Sequence, residues 1–128
     1  MLYKILIVDD EPAVRELFED LFKGENCSSV SCATGEESLE YLKKDKFDVV
    51  LLDIKLPDMN GLEVLKNIRD IHKTLPVVMI TGFGYDEELI AKSKQFGCSG
   101  YIGKNMPVAQ IIATFKQIVK TARAKGCL

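Results

Sequence analysis

Charged and hydroxyl side chains stand where the short apolar runs of this sequence end. In chain order these residues are Asp9, Asp10, Glu11, Asp53, Thr81 and Lys104. Ligands of open parallel sheets bind outside the carboxyl ends of the strands. If the apolar runs are strands of one parallel sheet, we expect the acids, the hydroxyl group and the lysine to meet at one edge of it.

Acids gathered at one edge predict a divalent metal ion and phosphoryl chemistry. Carboxylates at such close range repel each other unless a cation compensates them, and Mg²⁺ takes one or two carboxylates together with water and phosphate oxygens. Mn²⁺ is an alternative ion. Asp53 could then attack phosphorus as a carboxylate nucleophile and form an aspartyl phosphate. Lys104 would pair with the new charge, and Thr81 would donate a hydrogen bond to it. Positioning and charge stabilisation suffice for this transfer, so no dedicated base is needed.

Each of these residues also has a purely structural interpretation. The three acids that follow the first run could cap a helix, because acids favour helix N-termini. Taken alone, Asp53 would pass for a loop acid, Thr81 for a turn residue and Lys104 for a solvated lysine. Together these interpretations require four coincidences at one sheet edge, so the functional hypothesis is favoured.

Five apolar runs alternate with five amphipathic stretches. The first run, Ile5–Val8, is continuous, as in a strand buried on both faces of a parallel sheet. The other predicted strands are an edge strand at Ser29–Cys32, then Val49–Leu52, Val77–Ile80 and a brief strand around Tyr101 and Ile102. This alternation predicts a doubly wound α/β domain, (βα)5, with a parallel sheet between two layers of helices. We assign it to residues 1–122, and residues 123–128 to a C-terminal tail or the start of a linker to an absent output domain.

Boundary residues frame the predicted helices. Residues typical of helix starts are Pro12, the capping-box pair Thr34 and Glu37, Asn60, and Pro107. Gly24 and Gly97 are expected to end the first and fourth helices. The first helix is predicted to pack through Val14, Leu17, Phe18, Leu21 and Phe22.

Composition excludes several classes of function. The chain has 128 residues, 47% of them hydrophobic, which is enough for one packed domain. Its net charge of −2 gives no attraction to nucleic acid or to an anionic membrane. Neither a span of roughly 20 apolar residues nor a signal-peptide pattern is present, so we expect a cytoplasmic protein. The cysteines, which lack metal-site spacing, are expected to be free thiols: Cys27, Cys32, Cys98 and Cys127.

The chain resembles the receiver domains of response regulators, the chemotaxis-protein-like family, over essentially its whole length. The matching motifs are Ile7-Val8-Asp9-Asp10-Glu11, Leu51-Leu52-Asp53-Ile54-Lys55-Leu56-Pro57-Asp58-Met59-Asn60-Gly61, Ile80-Thr81-Gly82 and Tyr101-Ile102-Gly103-Lys104. Each motif alone is weak evidence, but four in order, each at a strand end, are highly specific. The resemblance implies a flavodoxin-like sheet of strand order 2-1-3-4-5.

The resemblance also implies roles for individual residues and partners. Asp53 would be the phosphoacceptor, and Lys104 the lysine that contacts the phosphoryl group. The metal ligands would be Asp9, Asp10, Asp53 and the backbone carbonyl of Lys55. Thr81 and Tyr101 would form a switch pair. The implied donor is a histidine kinase or histidine phosphotransfer protein of a two-component or phosphorelay system. The implied response is a changed output surface, read by an output domain or a downstream protein, in a monomer or a phosphorylation-dependent dimer. The domain would catalyse only its own phosphoryl transfer and slow dephosphorylation, without acting as an enzyme on other substrates.

One position departs from the family pattern. Proline usually follows the lysine, often with a cis bond, whereas Asn105 follows Lys104 here. A cis bond before a residue other than proline costs about 2.5 to 4 kcal/mol, so we expect this bond to be trans.

Three other functions fit the sequence less well. Metal-dependent phosphatases that form an aspartyl phosphate usually carry a second acid two residues after the nucleophile, and Lys55 occupies that position. A pseudo-receiver, which acts without phosphorylation, would lack Asp53 or the acid pair, and both are present. A flavin-binding protein of similar topology would want a phosphate-cradling loop after the first strand, where this chain has acids.

Overall fold

The computed structural model describes residues 3–82 and 87–124. In those ranges five strands alternate with five helices. The strands are β1 (Lys4–Val8), β2 (Ser28–Cys32), β3 (Val49–Asp53), β4 (Val77–Thr81) and β5 (Gly100–Gly103). The helices are α1 (Pro12–Gly24), α2 (Gly35–Lys44), α3 (Gly61–Ile71), α4 (Glu87–Gln95) and α5 (Val108–Ala124).

The strands form one parallel sheet in the order β2-β1-β3-β4-β5, which confirms the predicted topology. Its register brings the ends of the central strands together. Val8 pairs with Leu52, so the residues that follow them, Asp9 and Asp53, lie side by side. At the same edge, on the strands β4 and β5, Thr81 pairs with Gly103, directly before Lys104.

The core has two layers because successive residues of a strand point to opposite faces of the sheet. Alternate residues of β1, β3 and β4 pack against α2, α3 and α4 on one face, and these are Leu6, Val8, Val50, Leu52, Val77 and Met79. The residues between them pack against α1 and α5, and these are Ile5, Ile7, Val49, Leu51, Val78 and Ile80. Burial on both faces is the reason that these strands read as continuous apolar runs.

The predicted helix caps are largely confirmed. Thr34 Oγ1 accepts a hydrogen bond from the Glu37 amide at 3.1 Å, and Asn60 Oδ1 accepts one from the Leu62 amide at 2.9 Å. The Thr34 hydroxyl also donates to the Glu37 carboxylate. Beyond α4, Gly97 has a φ of +92°, the left-handed conformation expected of a residue that ends a helix.

Two details of α1 differ from the prediction. Leu17 is 38% exposed because it lies at the edge of the apolar stripe of α1, whereas Phe18 and Phe22 of the same stripe are completely buried. Gly24 is the last helical residue, but the left-handed conformation falls on Asn26, with a φ of 60°. That turn lets the Cys27 amide donate to the carbonyl of Phe22 at 2.9 Å. Asparagine tolerates this conformation better than most residues.

Two further expectations concern free thiols and membrane-spanning segments. Cys27, Cys32 and Cys98 are free thiols, and Cys127 lies outside the described residues. Burial raises the pKa of Cys32 to about 12, so this thiol is unreactive at neutral pH. Within residues 3–82 and 87–124, no helix has the length and apolar character that crossing a bilayer requires.

Candidate functional site

The loops that follow β1, β3, β4 and β5 enclose a cleft of about 740 Å³ at the carboxyl edge of the sheet. Its lining includes Asp10, Glu11, Asp53, Lys55, Thr81, Lys104 and Asn105. Asp9 lies beneath the cleft and is fully buried. The predicted gathering of acids, hydroxyl group and lysine is therefore present at a single site.

Lys104 is the cation at the centre of this cleft. Its Nζ donates hydrogen bonds to Glu11 Oε1 at 2.7 Å and to Asp53 Oδ2 at 3.1 Å. It also lies 3.1 Å from Asp9 Oδ2, although outside hydrogen-bond geometry. One ammonium group therefore spans carboxylates from two strand ends that are more than forty residues apart in sequence.

The acids of the cleft outnumber this cation. Carboxylate oxygens of Asp9, Asp10, Glu11 and Asp53 all lie within 4.8 Å of one another. Asp9 Oδ1 accepts a hydrogen bond from the Glu11 amide at 2.9 Å, whereas Asp9 Oδ2 is buried without a hydrogen-bond partner. Lys104 Nζ, 3.1 Å away, offsets part of the charge on that oxygen, but a buried carboxylate oxygen that accepts no hydrogen bond remains costly. The oxygen-rich donor set fits a hard divalent ion such as Mg²⁺.

The environment of Asp53 shifts its proton affinity. The residue is only 4% exposed. Burial, and then the neighbouring charge of Asp9, raise the pKa of Asp53 to about 6, against the lowering effect of Lys104. Burial acts in the opposite direction on Lys104, but its hydrogen bonds to Glu11 and Asp53 prevail, so its pKa is raised. At neutral pH Asp53 is therefore ionised and Lys104 is charged.

The two residues of the predicted switch pair lie in different surroundings. Thr81 is half-buried and lines the cleft, and its hydroxyl lies 3.5 Å from the Ile102 carbonyl, at the limit of a hydrogen bond. Tyr101 does not line the cleft. Its half-buried ring packs on the α4 side of the sheet, with Lys94 Nζ 5.6 Å from the ring centroid. The structure therefore brings Thr81, but not Tyr101, to the acids.

Comparison with known proteins agrees with this architecture. The profile of the response regulator receiver domain matches residues 5–116. The chain belongs to this family. Sporulation initiation phosphotransferase F of Bacillus subtilis is 34% identical over 108 residues, which are 84% of this chain and 86% of that protein. The polar-differentiation response regulator DivK of Brucella ovis is 33% identical over 95% of this chain and all of its own length.

Solved structures give the same result. A CheY-like response regulator receiver domain protein from Methanospirillum hungatei superposes with a TM-score of 0.89 at 28% identity and covers 98% of this chain and 99% of its own. NtrX from Brucella abortus superposes with a TM-score of 0.91 at 28% identity, and the match covers 28% of that longer chain. The protein is thus a receiver domain of the two-component response regulators, a family that uses a divalent metal.

The receiver domain has a distinctive loop after its lysine. The Lys104–Asn105 bond is trans, as expected, since the described residues contain no cis peptide bond. The Lys104 amide donates to the Thr81 carbonyl at 2.8 Å, and the Met106 amide donates to the Gly103 carbonyl at 3.1 Å. These bonds keep Lys104 over the cleft without the proline that the family usually carries. Asn105 lines the same cleft.

Gly61 permits the close packing of the loop that follows Asp53. Its amide donates to the Ile54 carbonyl at 2.7 Å, and a Cβ atom placed on it would lie 2.2 Å from the Asp53 carbonyl oxygen. Both neighbours are backbone atoms, which cannot move aside as a flexible side chain can.

We expect Gly61→Ala to lower the free energy of unfolding by about 1 to 3 kcal/mol, as overpacking does. Urea denaturation measures the free energy of unfolding. Gly24→Ala is the control, because no atom lies within 4 Å of a Cβ placed on Gly24. Equal stability of the two variants would contradict this account.

Sequence reasoning missed two contacts of the site. The sequence shows Glu11 as the third acid after the first strand, but its ion pair with Lys104 spans 93 positions and has no local pattern. Arg15 Nη1 donates to the Asp9 carbonyl at 2.7 Å and so links α1 to the acidic loop that follows β1. An arginine on an amphipathic helix gives no sequence signal for such a bond, because solvated arginines occupy the same positions.

Proposed function

We propose that this receiver domain accepts a phosphoryl group on Asp53 from a phosphohistidine donor and changes its output surface in response. The observation that carries the proposal is the place of Asp53: the residue is 4% exposed, it lines the cleft, and its carboxylate accepts a hydrogen bond from Lys104. The proposed metal ligands are Asp9, Asp10, Asp53 and the backbone carbonyl of Lys55. Mg²⁺, or Mn²⁺ in its place, would supply the positive charge that draws phosphate oxygens toward the acids.

The residues of the cleft divide the chemistry between them. An Asp53 carboxylate oxygen forms the new bond to phosphorus while the phosphorus–nitrogen bond of the donor histidine breaks and the imidazole leaves. Lys104, already 3.1 Å from Asp53 Oδ2, pairs with the charge of the transferred group. The hydroxyl of Thr81 exchanges its long contact with the Ile102 carbonyl for a hydrogen bond to a phosphoryl oxygen.

The proposed switch then passes from Thr81 to Tyr101. The two residues lie on the neighbouring strands β4 and β5, where Thr81 pairs with Gly103 and Met79 pairs with Tyr101. A shift of the threonine toward the cleft leaves space that the tyrosine ring can enter. That movement would take the ring away from Lys94 and alter the face built from α4, β5 and α5.

The setting of this function is also a proposal. The donor is a histidine kinase or a histidine phosphotransfer protein, and the reader of the switch is an output domain or a downstream protein. The domain covers residues 1–122, and residues 123–128, of which the first two are still helical at the end of α5, are a tail or the start of a linker to an output domain. The protein acts in the cytoplasm. It is a monomer or a phosphorylation-dependent dimer, and it catalyses only its own phosphoryl transfer and slow dephosphorylation.

Acetyl phosphate tests the acceptor directly. We expect intact-mass spectrometry to find one Mg²⁺-dependent phosphoryl adduct on the wild type and none on Asp53→Asn, because an amide oxygen is a poor nucleophile. Asp45→Asn is the matched control, since Asp45 is an acid outside the cleft that pairs with Lys4. It should be phosphorylated as the wild type is.

Beryllofluoride covers a receiver domain that accepts only from its protein partner. Without an adduct from acetyl phosphate, Mg²⁺-dependent binding of beryllofluoride to the wild type and not to Asp53→Asn would still support the proposal. If beryllofluoride also failed to bind, the phosphorylation switch would be abandoned in favour of a pseudo-receiver. An adduct that survived in Asp53→Asn would move the acceptor to another residue.

A further inference from the structure

Asp58, on the loop that follows β3, caps the first turn of α2. Asp58 Oδ1 accepts a hydrogen bond from the Gly35 amide at 2.9 Å, and Asp58 Oδ2 accepts one from the Glu36 amide at 3.0 Å. Both donors belong to the first turn of α2, where helical amides lack partners of their own. Burial acts to raise the pKa of Asp58, but the hydrogen bonds that its carboxylate accepts hold this pKa below its usual range.

Side-chain packing interlocks the same two segments. A Cβ atom on Gly35 would lie 2.6 Å from Met59 Cγ and 2.7 Å from Val64 Cγ2, so the helix start and the loop touch without spare room. Met59 itself packs against the core on this face of the sheet. Asp58 and Met59 together fix the tip of the loop to α2.

The base of the loop carries the proposed metal ligand. The Lys55 amide donates to Asp53 Oδ1 at 3.2 Å, and Lys55 forms an antiparallel bridge with Asn60. The backbone at Lys55 is therefore held from within the loop by Asp53 and Asn60. Asp58 lies between Lys55 and Asn60 in the sequence, and its hydrogen bonds to α2 attach the loop to a neighbouring element.

We propose that Asp58 is a positioning residue for metal binding: by fastening the loop to the start of α2, it holds the Lys55 carbonyl in place for the cation. This inference rests on the proposed function, in which that carbonyl is a metal ligand. Residues behind a ligand contribute to affinity because they remove the conformational freedom that the ligand would lose on binding. By linkage, metal binding should in turn make the bond between Asp58 and α2 more stable.

A helix cap also stabilises the fold, and this effect has to be separated from positioning. Thr34 provides the separation, because its Oγ1 accepts from the Glu37 amide at 3.1 Å in the same turn of α2. Within the described part of the chain, the Thr34 side chain hydrogen-bonds to Glu37 and not to the loop of Lys55. Thr34→Ala therefore removes a cap of the same helix end and leaves the loop fastened.

The experiment compares Mg²⁺ binding by isothermal titration calorimetry in the full chain, with thermal unfolding in EDTA alongside. We expect both Asp58→Ala and Thr34→Ala to lower the unfolding temperature by a few degrees. We expect Asp58→Ala to weaken Mg²⁺ binding about tenfold, the lower end of the effect known for groups bonded directly to metal ligands, because Asp58 acts on Lys55 through the loop. Thr34→Ala should bind Mg²⁺ within roughly a factor of two of the wild type, since the hydrogen bonds of the Thr34 side chain go to Glu37 and those of Asp58 to α2 remain.

Each outcome decides between positioning and capping. Equal Mg²⁺ affinity in Asp58→Ala and the wild type, or an equal loss in Thr34→Ala, would overturn the inference and leave the proposed function standing. A wild type that binds no Mg²⁺ would overturn both. If Asp58→Ala does not fold, Asp58→Asn replaces it, because asparagine keeps one acceptor oxygen. A weakened affinity in Asp58→Asn supports the inference, and an unchanged one overturns it.

Discussion

Replacing Lys104 with methionine should lower the free energy of unfolding of the metal-free receiver domain by about 2 to 4 kcal/mol at pH 7.5. Lys104 Nζ lies within 3.1 Å of carboxylate oxygens of Asp9, Glu11 and Asp53, and its side chain is only 17% exposed. Without the ammonium group these charges repel each other with no compensating cation. The open cleft and proton uptake by Asp53 keep the loss below that of a fully buried pair.

Mg²⁺ should restore much of the stability that Lys104→Met loses, because a divalent ion compensates the same carboxylates. Urea denaturation in EDTA and in saturating Mg²⁺ measures both quantities. Lys55→Met is the matched control: it removes the same charge from an exposed side chain at the rim of the cleft. Equal stability of the two variants in EDTA would show that Lys104 does not hold the acids together.

The sequence predicted the edge of the sheet at which the site lies, and the reason is local. Continuous apolar runs mark strands that are buried on both faces, so Asp9, Asp53 and Thr81 could be assigned to strand ends without any contact information. Their mutual proximity needed the strand order, which came from the family resemblance. Once β1 lies beside β3, the pairing of Val8 with Leu52 brings the two aspartates together.

Contacts between distant segments escaped prediction because no periodicity encodes them. Asp58 and Gly35 are 23 positions apart, and their bond depends on how the loop after β3 folds back on α2. In the sequence, Asp58 is one polar residue in a turn. The predicted packing of Leu17 was wrong for a different reason. Apolar spacing identifies a helical stripe, but it does not show how far the neighbouring elements cover the edges of that stripe.

Asp53→Asn should make the metal-free receiver domain more stable at neutral pH, by about 2 kcal/mol. Burial, and next the charge of Asp9, raise the pKa of Asp53 from 3.8 to about 6. The folded state therefore binds this proton more tightly than the unfolded state does. As pH rises from about 4 to about 6, the unfolded chain releases the proton first, and the wild type loses stability. Asparagine carries no charge and avoids that loss.

The gain should consequently depend on pH in a defined direction. It should be full above about pH 7, shrink through pH 6 and vanish below about pH 4, where Asp53 is protonated in both states. Urea denaturation in EDTA across this range measures it, with Asp45→Asn as a control of opposite expectation, since hydrogen bonds from Lys4 and Lys46 lower the pKa of Asp45. An Asp53→Asn protein that is less stable than the wild type at pH 7.5 would mean that the bond to Lys104 outweighs burial. The Asp53 carboxylate would then form a stabilising ion pair with Lys104, whereas we expect a destabilising charge that a metal ion or a phosphoryl group relieves.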